Sequence, residues 1–158
     1  MRLILAAVLS LGAGPALAEW SLADLSNEQE IAYSGGVLDV SGTIDMGLDC
    51  SDWIPGLITL TIFTGEPAAT AENDGAEGIM TVTADGRKRR EVTAHLSAFD
   101  GETAIVTSNV EGEKFIELLL LMAKAQETLE VDYAGRHYQF TAEGANAVIG
   151  EMADVCPQ

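Results

Sequence analysis

From Val37 onward apolar residues occupy alternate positions: Leu38 and Val40, then Ile44, Met46, Leu48 and Cys50, with aspartates and glycines between them. A period of two places such residues on one side of an extended chain, so the stretch predicts a strand or a bent strand pair ending at a cysteine. Residues 51–56, with Trp53 and Pro55, read as a turn. Residues 57–63 are the clearest strand. Ile58, Leu60 and Ile62 share one face and Thr59 and Thr61 the other, and such β-branched side chains suit a pleated, half-buried surface. The polar stretch 20–30, with scattered leucines, reads as an irregular or short helical lead-in.

Residues 64–78 have loop chemistry: Pro67, glycines, small side chains and four acids. Strands follow at 79–84 and 91–99, the second placing Val92, Ala94, Leu96 and Ala98 on one face, with Asp85-Gly86 as the turn between them. Asp100-Gly101 then reverses the chain into a third strand at 103–107, completing a meander. A long helix is predicted over 113–127, where Phe115, Leu118, Leu119 and Met122 form a stripe that Ile116, Leu120 and Leu121 widen. Residues 128–133 and 137–142 alternate around Ala134-Gly135-Arg136 as a hairpin. Val148, Ile149, Met152 and Val155 then recur at helical spacing over 145–155. The order predicts an α+β fold: a mainly antiparallel sheet or sandwich packed by one long and one C-terminal helix.

A chain of 158 residues with 47% hydrophobic content has the size and balance of a single globular domain. Its 25 acidic against 8 basic side chains give a net charge of -17. That charge repels phosphate backbones and anionic bilayers, which argues against broad-surface nucleic-acid binding and favours a basic or cationic partner.

Charge and hydropathy also divide the chain at its start. Met1-Arg2, the apolar run 3–11 and the small residues Ala16-Leu17-Ala18 have the pattern of a cleaved signal peptide over 1–18, leaving one exported domain, 19–158, in the periplasm or secreted. The apolar run is shorter than the roughly 20 residues that a membrane anchor needs, so no membrane insertion is expected after cleavage. In an oxidising compartment, Cys50 and Cys156 are expected to form one structural disulfide. Closing a loop of that length is worth on the order of 4 to 5 kcal/mol in the chain-entropy account, as an upper figure.

Few residues offer catalysis. His95 and His137 are the only histidines, both read as surface positions, and no Gly-x-Ser-x-Gly, Ser-x-x-Lys or phosphate-loop motif occurs. The acids Glu66, Glu72, Asp74 and Glu77 lack the alternating spacing of a calcium loop and read as solvated, so no metal or cofactor is expected. The most unusual run is Arg87-Lys88-Arg89-Arg90, half of all the basic residues. It is a candidate docking patch for an anionic partner. The competing account is a charged edge strand that discourages edge-to-edge pairing.

Trp20 just after the signal, the strand ending Leu48-Asp49-Cys50, the strand at 57–63, and Tyr138-Gln139-Phe140-Thr141-Ala142-Glu143-Gly144 followed by a helix to Cys156 together resemble the VasI-like family of small periplasmic proteins associated with type VI secretion loci. Where that family has an Arg-Phe-Asp-like strand, this chain has Thr83-Ala84-Asp85. A second similarity is to the exported invasion-associated locus B proteins, which share a tryptophan start and a disulfide-bearing β domain. The VasI-like resemblance implies a non-enzymatic accessory that binds a protein or cell-envelope partner. Two other functions remain open on the residues: an inhibitor of a basic enzyme such as lysozyme, and a hydrolase using acidic residues.

Overall fold

The computed structural model describes residues 19–70 and 72–157, among which nine strands form one antiparallel sheet with two helices against it. The strands are β1 (Ser21–Asp24), β2 (Ala32–Leu38), β3 (Asp45–Ser51), β4 (Ile58–Pro67), β5 (Glu77–Ala84), β6 (Lys88–Phe99), β7 (Glu102–Ser108), β8 (Thr128–Tyr133) and β9 (Arg136–Thr141). The helices are α1 (Glu113–Lys124), between β7 and β8, and α2 (Ala145–Val155), after β9. In the sheet the order is β1-β2-β3-β4-β7-β6-β5-β8-β9. This is the α+β architecture expected, as a single sheet. The signal peptide expected over 1–18 lies outside the described residues.

The period-two pattern builds the core through register. Met46, Leu48 and Cys50 of β3 stand opposite Ile62, Leu60 and Ile58 of β4, and Ile62 stands opposite Ile105 of β7. Met80, Val82 and Ala84 of β5 meet Tyr133, Val131 and Leu129 of β8. These inward side chains join Phe115, Leu118 and Met122 of α1 and Val148 and Met152 of α2 in one buried cluster. The meander β5-β6-β7 is formed as expected. Its second turn, Asp100-Gly101, and the Ala134-Gly135 turn of β8–β9 both have two positive φ angles, the backbone twist that matches tight hairpins.

Four local expectations need correction. The lead-in after Trp20 contains the strand β1, paired with β2. Its polar, exposed sequence shows no alternation because a short outer strand is held by backbone hydrogen bonds and not by burial. Leu38 and Val40 are exposed, and Val37 is the core residue. The cause is the turn at Asp39, whose carboxylate accepts the N–H groups of Thr43 and Ile44, so that odd positions of β2 pair with even positions of β3. Strand structure extends into both ends of the expected 64–78 loop, β4 running to Pro67 with an irregularity after Phe63. On α1, Ile116 and Leu120 face solvent, so the apolar stripe is narrower than its sequence suggests.

The sheet curls until its far ends meet. Asp39, just beyond β2, bridges to Phe140 of β9, and Val40 N–H donates to Gln139 O at 3.0 Å. Trp20 closes the remaining gap: its backbone N–H donates to Glu143 O, and its buried indole N–H donates to Thr141 O, both at 3.0 Å. The expected disulfide joins Cys50 at the end of β3 to Cys156 after α2.

Candidate partner-binding groove

Asp85 and Gly86 carry the chain from β5 to β6 at positive φ, and Lys88, Arg89 and Arg90 open β6. Successive residues of a strand point to opposite faces, so the basic run is divided. Lys88 and Arg90 point toward α1, and Arg87 in the turn joins them. Arg89 points to the other face, where its guanidinium lies 3.9 Å from Glu91 with both side chains largely exposed. Residues Lys88–Arg90 pair with β5, and β7 joins β6 from His95 onward. Beside that unladdered edge of β6 lies α1.

The result is a groove of about 640 Å³ between the β5–β6 turn and α1. Arg87, Lys88 and Arg90 form one wall, and Glu117, Leu120 and Lys124 of α1 the other. Arg90 Nε reaches Glu117 Oε2 at 3.0 Å, tying the walls together. Each of these two side chains is about half exposed, which leaves the pair little net stability. Asp85 fixes the end of the groove. Its carboxylate accepts N–H groups from Gln126, Glu127 and Thr128, the Glu127 bond at 2.8 Å. The backbone N–H groups of Glu127 and Thr128 hold its pKa below the usual aspartate value.

With Asp85 engaged by backbone and Arg90 matched to Glu117, the groove presents Arg87, Lys88 and Lys124 against Glu127. It is a positive spot on a chain of charge -17. Leu120, half exposed, adds an apolar contact within it. Sequence reasoning found the run but not Lys124, Glu117 or Leu120. Their part in the groove comes from the packing of α1 on β6, and no local pattern announces it.

The other candidate residues are dispersed. His95 is exposed on β6, facing Glu77 across the sheet. His137 on β9 places Nδ1 2.8 Å from Asp132 Oδ1, also in solvent. The two strands are not neighbours, so the histidines do not form one constellation. Of the loop acids, Glu66 is bound by Arg136 and Asp74 accepts the N–H of Ala98. Among the described residues no three histidines, cysteines or carboxylates gather to hold a metal. Cys50 and Cys156 are buried in their disulfide, which suits an oxidising compartment. No helix among the described residues is long and apolar enough to cross a membrane. No protein family, curated protein or solved structure matches this chain.

Proposed function

We propose that this chain is a non-catalytic accessory protein of the periplasm or cell envelope that binds an anionic protein partner through the groove between the β5–β6 turn and α1. One observation carries the reading: the groove collects Arg87, Lys88, Arg90 and Lys124, half the basic residues of a strongly acidic chain, around an exposed leucine. Edge protection accounts for charge on the unladdered part of β6, but Lys124 and Leu120 belong to α1 and lie outside that edge. Opposite charge at a rim raises encounter rates, and an apolar contact within it slows release. The VasI-like resemblance points toward the same class of function, an accessory of a secretion apparatus. The disulfide supports an exported location.

The test is cross-linking in the native envelope fraction with the wild-type chain and with an Arg87→Ser/Lys88→Ser/Arg90→Ser variant. An acidic protein captured by the first, at low but not high salt, and lost from the second is the expected result. An unchanged set of cross-linked proteins would refute the groove as the binding surface.

A further inference from the structure

A second concavity, of about 290 Å³, opens beside the turn that follows β3 and shares no residue with the basic groove. Trp53, Ile54, Leu25 and Tyr33 line it together with the acidic residues Asp49 and Glu30. Trp53 is 73% exposed, the most exposed aromatic side chain among the described residues, and Ile54 and Leu25 are exposed beside it. The turn that carries them is braced. Asp52 N–H donates to Ile31 O at 2.9 Å, Ile31 N–H donates to Asp52 Oδ1 at 3.1 Å, and Gly56 N–H donates to Pro157 O at 2.8 Å. The Cys50–Cys156 disulfide closes the same corner.

An exposed tryptophan on a fixed turn suits recognition, because its large ring loses little conformational entropy when covered. Leaving it bare beside Ile54 and Leu25 stabilises nothing in the isolated chain. Asp49 narrows the choice of partner. It is a half-buried carboxylate whose burial raises its pKa, an effect that a hydrogen bond from Ser34 opposes. A desolvated anion that lines the same concavity as an aromatic ring is complementary to a guanidinium or ammonium group, which can lie on the ring face and turn its charge toward the carboxylate. The charge of -17 steers such a group inward.

We infer that the cleft at Trp53 receives an arginine or lysine side chain from a basic segment of a partner protein, its stem across the indole and its charge toward Asp49 and Glu30. This contact is independent of the basic groove. It is also the surface on which a basic enzyme would be engaged.

Fluorescence titration with nona-arginine, which has no fluorophore, tests it directly. Trp20 is buried, 4% exposed, so a change in emission reports Trp53. A saturable change is expected, absent in Trp53→Phe and weakened about tenfold in Asp49→Asn, with circular dichroism confirming that both variants are folded. Glu113→Gln, which removes the same charge from α1, is expected to weaken it by less than about twofold. The Arg87→Ser/Lys88→Ser/Arg90→Ser variant is expected to respond like the wild type. Three results would each overturn the inference: no response of Trp53, equal weakening by Asp49→Asn and Glu113→Gln, or the same saturable change on titration with chitotetraose, which would make this a glycan site.

Discussion

Arg136 grips Glu66 through two hydrogen bonds, Nε to Oε1 at 2.9 Å and Nη2 to Oε2 at 2.7 Å, although 70 residues separate them. Glu66 lies near the end of β4 and Arg136 begins β9, strands that are not neighbours in the sheet, so the pair spans the open end of the curled sheet. A forked guanidinium fixes both the distance and the orientation of the two strand ends, which a lysine could not do.

The hydrogen bond from Arg136 holds the Glu66 pKa below the ordinary glutamate value. Stability from a depressed carboxylate is present above the unfolded pKa, near 4.3, and is lost as pH falls through the folded value. Glu66→Gln is therefore expected to cost about 1 kcal/mol at neutral pH, a figure already reduced because Glu66 is 45% exposed. The difference from wild type should shrink as urea titrations move below about pH 4. A constant difference across that range would mean that the ion pair contributes nothing through its charge.

Asp49 has the opposite sign. Burial raises its pKa, and burial followed by repulsion from Asp49 and Glu102 raises that of Asp45. A raised carboxylate binds its proton more tightly in the folded state, so at neutral pH these charges oppose folding. Asp49→Asn is expected to increase the thermal midpoint at pH 7, with the gain disappearing below about pH 4 as the wild-type group takes up its proton. The same variant is expected to bind nona-arginine more weakly, so loss of binding would coincide with greater stability. Destabilisation at pH 7 would contradict this account.

Cys50 and Cys156 close a loop with a sequence separation of 106. Replacing both with serine should lower stability by up to about 4 to 5 kcal/mol, chiefly by releasing entropy in the unfolded chain. Denaturant titration with and without reductant measures it. The wild-type midpoint should fall under reductant and that of the double variant should not move.

Gly35 marks where α2 rests on the sheet. A Cβ added there would collide with Val148 Cγ1, because the helix approaches the bare backbone of β2. Gly35→Leu should displace α2 and cost about 1 to 3 kcal/mol from overpacking. Gly56→Ala has open space around its Cβ but a positive φ, and should cost about 1 kcal/mol from backbone strain alone. Gly35→Ala already sets a Cβ against Val148, so a Gly35→Ala variant as stable as the wild type would indicate that contact with Val148 does not limit the site.

Much of the fold can be read along the chain where burial is one-sided. The alternations of β3, β4 and β6 and the stripe of α2 are local consequences of one face meeting the core, and Ala145–Val155 forms over the span its spacing predicts. β1 could not be read in this way, because its evidence is a ladder to β2, supplied by residues nine or more positions away. The candidate groove was half legible. A run of four cations stands out in any acidic sequence, but only the pleat decides that Arg89 turns away while Lys88 and Arg90 face α1. The Trp53 cleft was not legible at all: residues 51–56 read simply as a turn, with no sign of the neighbours Asp49, Glu30 and Leu25.

The sequence by itself determined most of the core, the order of elements from β3 to α2, the negative charge and the pairing of the two cysteines, because each follows from residue type, short-range period or the absence of alternatives. The tertiary structure decided the rest: the curling of the sheet through Asp39 and Phe140, the clasp of Glu66 by Arg136, and the assembly of both concavities. Those features depend on which strand lies beside which, and contacts between residues far apart in the chain leave no trace in its local pattern.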